Sequence, residues 1–188
     1  MTYQTTYQAL DEIYAAMEAE QAKFVGSVSG LTDAQANFCP APDAWTIAEI
    51  AEHLAIVNGG FLRIAHKLLK EAEAAGAAAL TNWQMNGVLV GPDGQQPPPF
   101  AAPDRVKPQG GQAIADSLTK LAETLAGFHE IKTRLSATDC SAPTFPHPAV
   151  GPLNTYQWMI VQAEHLDRHR GQVERLKQTT GYPIYLAT

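Results

Sequence analysis

Apolar residues recur at spacings of three and four over four long stretches of the chain, the periodicity of helices with one buried face. In the first, about residues 2–29, Leu10, Ile13, Tyr14, Met17, Phe24 and Val28 share a face, with Gln21 between them and Gly30 as the stop. The second opens on a capping box, in which Thr46 caps the first amides and Glu49 reaches back to the cap. Its seam reads Ile47, Ile50, Leu54, Val57, Phe61, Ile64 and Leu68, and it runs to about Ala75, with Gly76 as the stop. Gly59 and Gly60 interrupt it at a cost of about 1 kcal/mol each against alanine, and so mark close packing or a bend. The third, about residues 111–136, carries Ile114, Leu118, Leu121, Leu125, Phe128 and Leu135. The fourth, about residues 153–180, has the seam Met159, Gln162, Leu166, His169, Val173 and Leu176.

Proline confirms these divisions, because it breaks helices wherever it falls inside them. Of the 13 prolines, six lie in Pro92–Pro108, four in Pro143–Pro152, two at Pro40 and Pro42, and one at Pro183. Residues 77–109 then form a long connection, a length usual for a lid, a binding loop or a crossover. No convincing strand is visible, and Gly87-Val88-Leu89-Val90 is the one weak candidate. Four seams of this kind bury one another most simply in an all-α four-helix bundle, with a crossover-type connection between the second and third helices. Residues 1–188 read as one such domain. Seam spacing does not choose between a crossover and an all-antiparallel order.

A net charge of -6 and no basic run argue against nucleic-acid and anionic-membrane partners. No charged start with an apolar block opens the chain and no stretch is apolar enough to span a bilayer, so a cytoplasmic location is the expectation. Cys39 and Cys140 are too few for a disulfide framework or thiolate site and read as free thiols.

Histidine changes the picture. There are six, and His165 and His169 sit four apart on the fourth helix, a spacing that lets two imidazoles reach one metal ion. His169 occupies a seam position, and His165 precedes seam residue Leu166. On the second helix His53 likewise precedes a seam leucine: Ala51-Glu52-His53-Leu54 repeats as Ala163-Glu164-His165-Leu166. Three imidazoles from two helices leave one position for water or substrate, as catalytic metal sites require. The pattern fits equally three core histidines satisfied by neighbouring side chains. His66 and His147 read as solvated, and His129, beside Phe128 on the third helix, as a residue on the flank of its buried face.

The segments Trp45-Thr46-Ile47-Ala48-Glu49-Ile50-Ala51-Glu52-His53-Leu54 and His165-Leu166-Asp167-Arg168-His169-Arg170-Gly171-Gln172 resemble the DinB/YfiT-like metalloenzymes of the DinB superfamily. The resemblance implies that His53, His165 and His169 bind a divalent metal, zinc or nickel, in a four-helix bundle with a crossover, commonly as a homodimer. It implies a metal-dependent enzyme that activates a low-molecular-weight thiol or water against a small electrophile, as an S-transferase, isomerase or hydrolase. A non-catalytic, metal-stabilised bundle with a stress-related or interaction role is the alternative, and a metal-free helical module a third.

Other polar and aromatic residues have simpler readings. Glu49 and Gln162 stand where they can orient imidazoles, but the capping box accounts for Glu49 and a polar seam position for Gln162. Trp45, Trp83 and Trp158 can line a pocket, though large aromatics more often pack a core. Arg170 can meet an anionic substrate, though an exposed arginine beside a seam residue is the commoner case.

Overall fold

A computed structural model describes residues 5–89 and 102–183. Its elements in chain order are β1 (Thr6–Tyr7), α1 (Leu10–Val28), α2 (Asp33–Ala36), α3 (Ile47–Ala74), β2 (Met85–Asn86), a single 3-10 turn (Asp104–Val106), α4 (Ile114–Ala137), β3 (Phe145–His147), β4 (Gly151–Leu153) and α5 (Thr155–Lys177). The long helices α1, α3, α4 and α5 are the four expected from the sequence.

Local chemistry sets their ends. At α3 the Glu49 amide bonds the Thr46 hydroxyl and the Thr46 amide bonds Glu49 Oε2, the reciprocal pair anticipated from the sequence. Gly76, at φ +70°, takes the left-handed conformation that stops the helix. Asn154 and Gln157 form the equivalent box at α5, and Thr32 and Gln35 cap the short α2, which carries too little periodicity to announce itself.

The expectations for strands and for the first helix need correction. Helix α1 begins at Leu10, because Thr6 and Tyr7 pair with Asn86 and Met85 in an antiparallel ribbon. Residues 2–4 of the expected helix lie outside the described residues. A second ribbon joins Phe145–His147 to Gly151–Leu153 within the later proline-rich connection. The weak strand candidate is displaced: after β2 the Gly87 amide bonds the Thr5 carbonyl, the Val88 and Leu89 amides turn to Glu164, and Val90 lies outside the described residues. Strands of two or three residues are too short to show an alternating pattern.

Gly59 and Gly60 cause no break in α3, and a Cβ at either would meet only the Arg63 side chain. Close approach falls on α4, where a Cβ at Gly127 would lie 2.5 Å from a Leu62 methyl.

The contacts fix the connectivity that seam spacing left open. Arg134, late in α4, pairs with Glu73, late in α3, while the amides of Gln109 and Gly110, just before α4, reach Glu52 early in α3. Helices α3 and α4 are therefore parallel, and residues 75–113 cross over between them. Phe61 against Trp158 and His53 against His169 make α3 and α5 antiparallel. Tyr14 donating to the Phe128 carbonyl, with Asp11 beside Lys132, makes α1 and α4 antiparallel too. Two helices therefore run each way.

The apolar interior is in two parts. One gathers Leu10–Met17 of α1, Val57–Ala72 of α3, Phe128–Leu135 of α4 and Tyr156–Ala163 of α5. The other gathers Phe24 and Val28, Ile47–Ala55, Leu121, and Leu166–Leu176. Along the boundary each helix contributes one buried polar side chain: Gln21, Asn58, Thr124 and Gln162.

Candidate metal centre

The candidate residues meet where α3 and α5 face each other. His53 lies on the second turn of α3, fixed by the capping box before it, and His165 and His169 lie one above the other on α5. All three predicted histidines come together, with one ligand nitrogen of each within 4.8 Å of the others. His165 Nε2 and His169 Nε2 are 3.0 Å apart, and the His53 ring centroid lies 5.3 and 5.0 Å from theirs.

Hydrogen bonds orient two of the rings. His53 Nδ1 donates to the Val106 carbonyl at 2.7 Å, and His169 Nδ1 faces Gln172 Oε1 at 2.9 Å. With Nδ1 protonated on both, each Nε2 presents a lone pair to the interior. Burial pushes the pKa of His53 down and that of His165 far down, and the neighbouring imidazoles lower His165 further. His169 falls to about 3, mainly by burial and then by the nearby His53. The trio is thus uncharged at neutral pH, the protonation state in which imidazole ligates metal.

These residues fit a divalent cation. Lone pairs of two neutral imidazoles facing each other repel unless a proton or a cation lies between them. Nitrogens about 2.0–2.1 Å from one zinc ion stand about 3.4 Å apart in a tetrahedron, close to the spacing of His165 and His169. Among the described residues no carboxylate joins the set, so a bound dication would keep its charge and its acidity.

Aromatic side chains wall the groove. Trp45 packs on His53 with centroids 4.8 Å apart, Phe61 lies 6.2 Å from His165, and Trp158 lies 5.1 Å from Phe61. His147, expected in solvent, is half-buried on the β3–β4 ribbon with its ring 5.2 Å from Trp158. A histidine without a spaced partner reads as solvated, but the ribbon turns this ring towards Trp158. His66 is exposed as expected, and His129 pairs with Glu18 at 3.0 Å on the far side of the bundle. Arg170 pairs with Asp167 on its own helix.

The glutamates of the repeated Ala-Glu-His-Leu words make contacts beside the trio that the sequence reading passed over. Glu164 accepts the amides of Val88 and Leu89, on the leg of the crossover that leaves α3. Glu52 accepts those of Gln109 and Gly110, on the returning leg. Burial raises the Glu164 pKa although both amides oppose it. Each glutamate that precedes a histidine of the centre thereby ties one leg of the crossover beside it, and the Val106 carbonyl on His53 adds a third tie. The repeated words were the available signal, but a glutamate seeking backbone amides far along the chain has no periodicity.

The DinB superfamily model matches residues 16–173, so the chain belongs to that superfamily. No curated protein matches it. Among solved structures it is similar to TT2238, a four-helix bundle protein, at 20% identity and TM-score 0.59, over 89% of this chain and 99% of that one. It is also similar to YfiT from Bacillus subtilis, described as a probable metal-dependent hydrolase with an unusual four-helix bundle topology. There the identity is 17% and the TM-score 0.58, over 92% of this chain and 88% of that one. At these identities the likeness is one of fold.

Proposed function

We propose that this DinB-superfamily chain is a divalent-metal-dependent enzyme in which His53, His165 and His169 hold the ion, zinc or nickel. The observation that carries the reading is the convergence of three neutral, inward-facing imidazoles within 4.8 Å. When bound, such an ion supplies Lewis acidity, lowering the pKa of a water or thiol to make a nucleophile near neutral pH. The description of YfiT as a hydrolase supports the water branch; the resemblance to thiol-dependent relatives supports a low-molecular-weight thiol.

This chain's own residues have three tasks in that scheme. The histidines ligate without neutralising the ion. Trp45, Phe61 and Trp158 exclude bulk water from one side of the groove, which strengthens electrostatic interactions inside it. Glu52 and Glu164 hold the crossover against it. Neither cysteine is placed among these groups, and burial pushes the Cys140 thiol up to about 11, so no protein thiolate competes as nucleophile. A small electrophile as substrate, and a homodimer as working unit, complete the proposal. Among the described residues no helix is long and apolar enough to cross a membrane.

Elemental analysis of protein expressed in medium supplemented with zinc and nickel tests the centre. One equivalent is expected in the parent, and His53→Ala, His165→Ala and His169→Ala should each lose it. Loaded protein is then offered ester and amide substrates, and electrophiles with or without small thiols. Metal-free parent protein sinks the reading. Stoichiometric metal that raises the melting temperature, with no turnover and no further shift by thiols, leaves the non-catalytic metal-stabilised bundle in its place.

A further inference from the structure

We infer that Gln162 is a positioning residue of the metal centre, its side-chain carbonyl accepting the Nδ1–H of His165 and so aiming that ring's Nε2 at the ion. The inference rests on the metal-centre reading above. A ligating imidazole almost always donates its other N–H to an acceptor, which fixes tautomer and ring orientation. His53 has the Val106 carbonyl and His169 has Gln172. His165 Nδ1 is buried and has no acceptor among the described residues.

Gln162 is the candidate acceptor on the same helix; as the side chains stand, its Oε1 and His165 Nδ1 are both unbonded. It is three residues before His165 on α5, and residues three apart on a helix are neighbours. On the same helix His169 takes its acceptor from Gln172, three residues on in the C-terminal direction; for His165 the corresponding side is the N-terminal one, towards which helical side chains lean. Gln162 is fully buried, and neither its Oε1 nor its Nε2 has a partner among the described residues. Asn58 of α3 is in the same condition. The antiparallel register puts these two at one level, bracketed by His53 with His169 on one side and Phe61 with Trp158 on the other. A primary amide has a donor and an acceptor end. Asn58 Oδ1 can therefore take a Gln162 N–H while Gln162 Oε1 takes the proton of His165, which uses groups from the polar boundary between the two halves of the core.

A seam position buried to this depth favours leucine or methionine on packing grounds alone, because an unpartnered amide there is destabilising. That separates the inference from a merely structural role. The experiment measures zinc affinity by chelator competition for the parent, Gln162→Met and Gln162→Glu, and the melting temperature of each metal-free protein. Gln162→Met is expected to weaken zinc binding about 10- to 100-fold while its metal-free melting temperature holds or rises. Gln162→Glu keeps the carbonyl acceptor and should stay within a few-fold of the parent. The inference is overturned if Gln162→Met binds zinc like the parent, or if affinity and metal-free melting temperature fall together in both variants. Parent protein that takes up no zinc overturns it along with the metal-centre reading, whereas parent protein that binds normally beside a normal Gln162→Met variant removes this inference alone.

Discussion

Two antiparallel seams of the bundle carry histidine, and they treat it in opposite ways. Between α1 and α4, His129 is exposed, lies 3.0 Å from the Glu18 carboxylate, and covers the Tyr14 ring at 5.1 Å. Between α3 and α5, three histidines meet with no carboxylate in the set, and burial holds them neutral. A histidine beside an acid at a surface is already satisfied; a desolvated trio without an acid offers lone pairs to a cation. The comparison teaches that partner and solvent, more than residue type or helical spacing, decide which histidines can do metal chemistry.

The largest effect that can break this contrast is on metal binding. His169→Ala removes one of three ligands and is expected to weaken zinc or nickel binding at least about 100-fold, against no change for His129→Ala. Metal content after dialysis and chelator competition are the measurements. Equal loss in both variants would show the α3–α5 trio to be no more a site than the α1–α4 seam.

Next in size is the tie between the centre and the crossover. Glu52 is buried and accepts two backbone amides, each at 3.0 Å. Glu52→Ala leaves both without their acceptor and should lower unfolding free energy by about 2–3 kcal/mol. Glu52→Gln keeps one acceptor oxygen and should lose less. Urea denaturation of the metal-free protein reads the difference, and an Ala variant as stable as the parent would mean that the returning leg is held without Glu52.

Acid sharpens the contrast at about the same scale. His169 has a folded pKa of about 3 against an unfolded value of 6.5, so below 6.5 the unfolded chain binds the proton and the folded one does not. Its contribution to stability is intact above pH 6.5 and drains away as pH falls towards 3. Between pH 8 and pH 5 the loss is about 2 kcal/mol for this residue alone. Metal-free His169→Asn should show a pH profile flatter by that amount, and an unchanged profile would mean that the ring is protonated where it lies.

What was legible in the sequence follows the range of the interactions involved. The long helices were visible because burial repeats along each one, and the Thr46 box because its partners are three residues apart. The three histidines were visible as a set through seam position and the repeated Ala-Glu-His-Leu words. The strands of two and three residues and the four-residue α2 were not, being too short for a period to repeat. The parallel pairing of α3 with α4 rests on contacts such as Glu73 with Arg134, 61 residues apart, which no local pattern encodes. Glu52 and Glu164 stood in plain view, but their partners are loop amides 57 and 76 residues away.

The smallest expected effect tests the α1–α4 seam itself. Glu18→Gln removes the acid beside His129, a pair in which the two side chains are 52% and 42% exposed. Water already screens these groups, so the interaction contributes at most about 0.5 kcal/mol, and less as salt is added. The measurement is urea denaturation of parent and variant at pH 6, at low and high ionic strength, with metal content followed in parallel. A change within about 0.5 kcal/mol that shrinks with salt, and no change in metal, fits a solvated histidine with a local partner. A loss above about 1 kcal/mol, or any fall in metal content, would mean that strain at α1–α4 reaches the trio through the core.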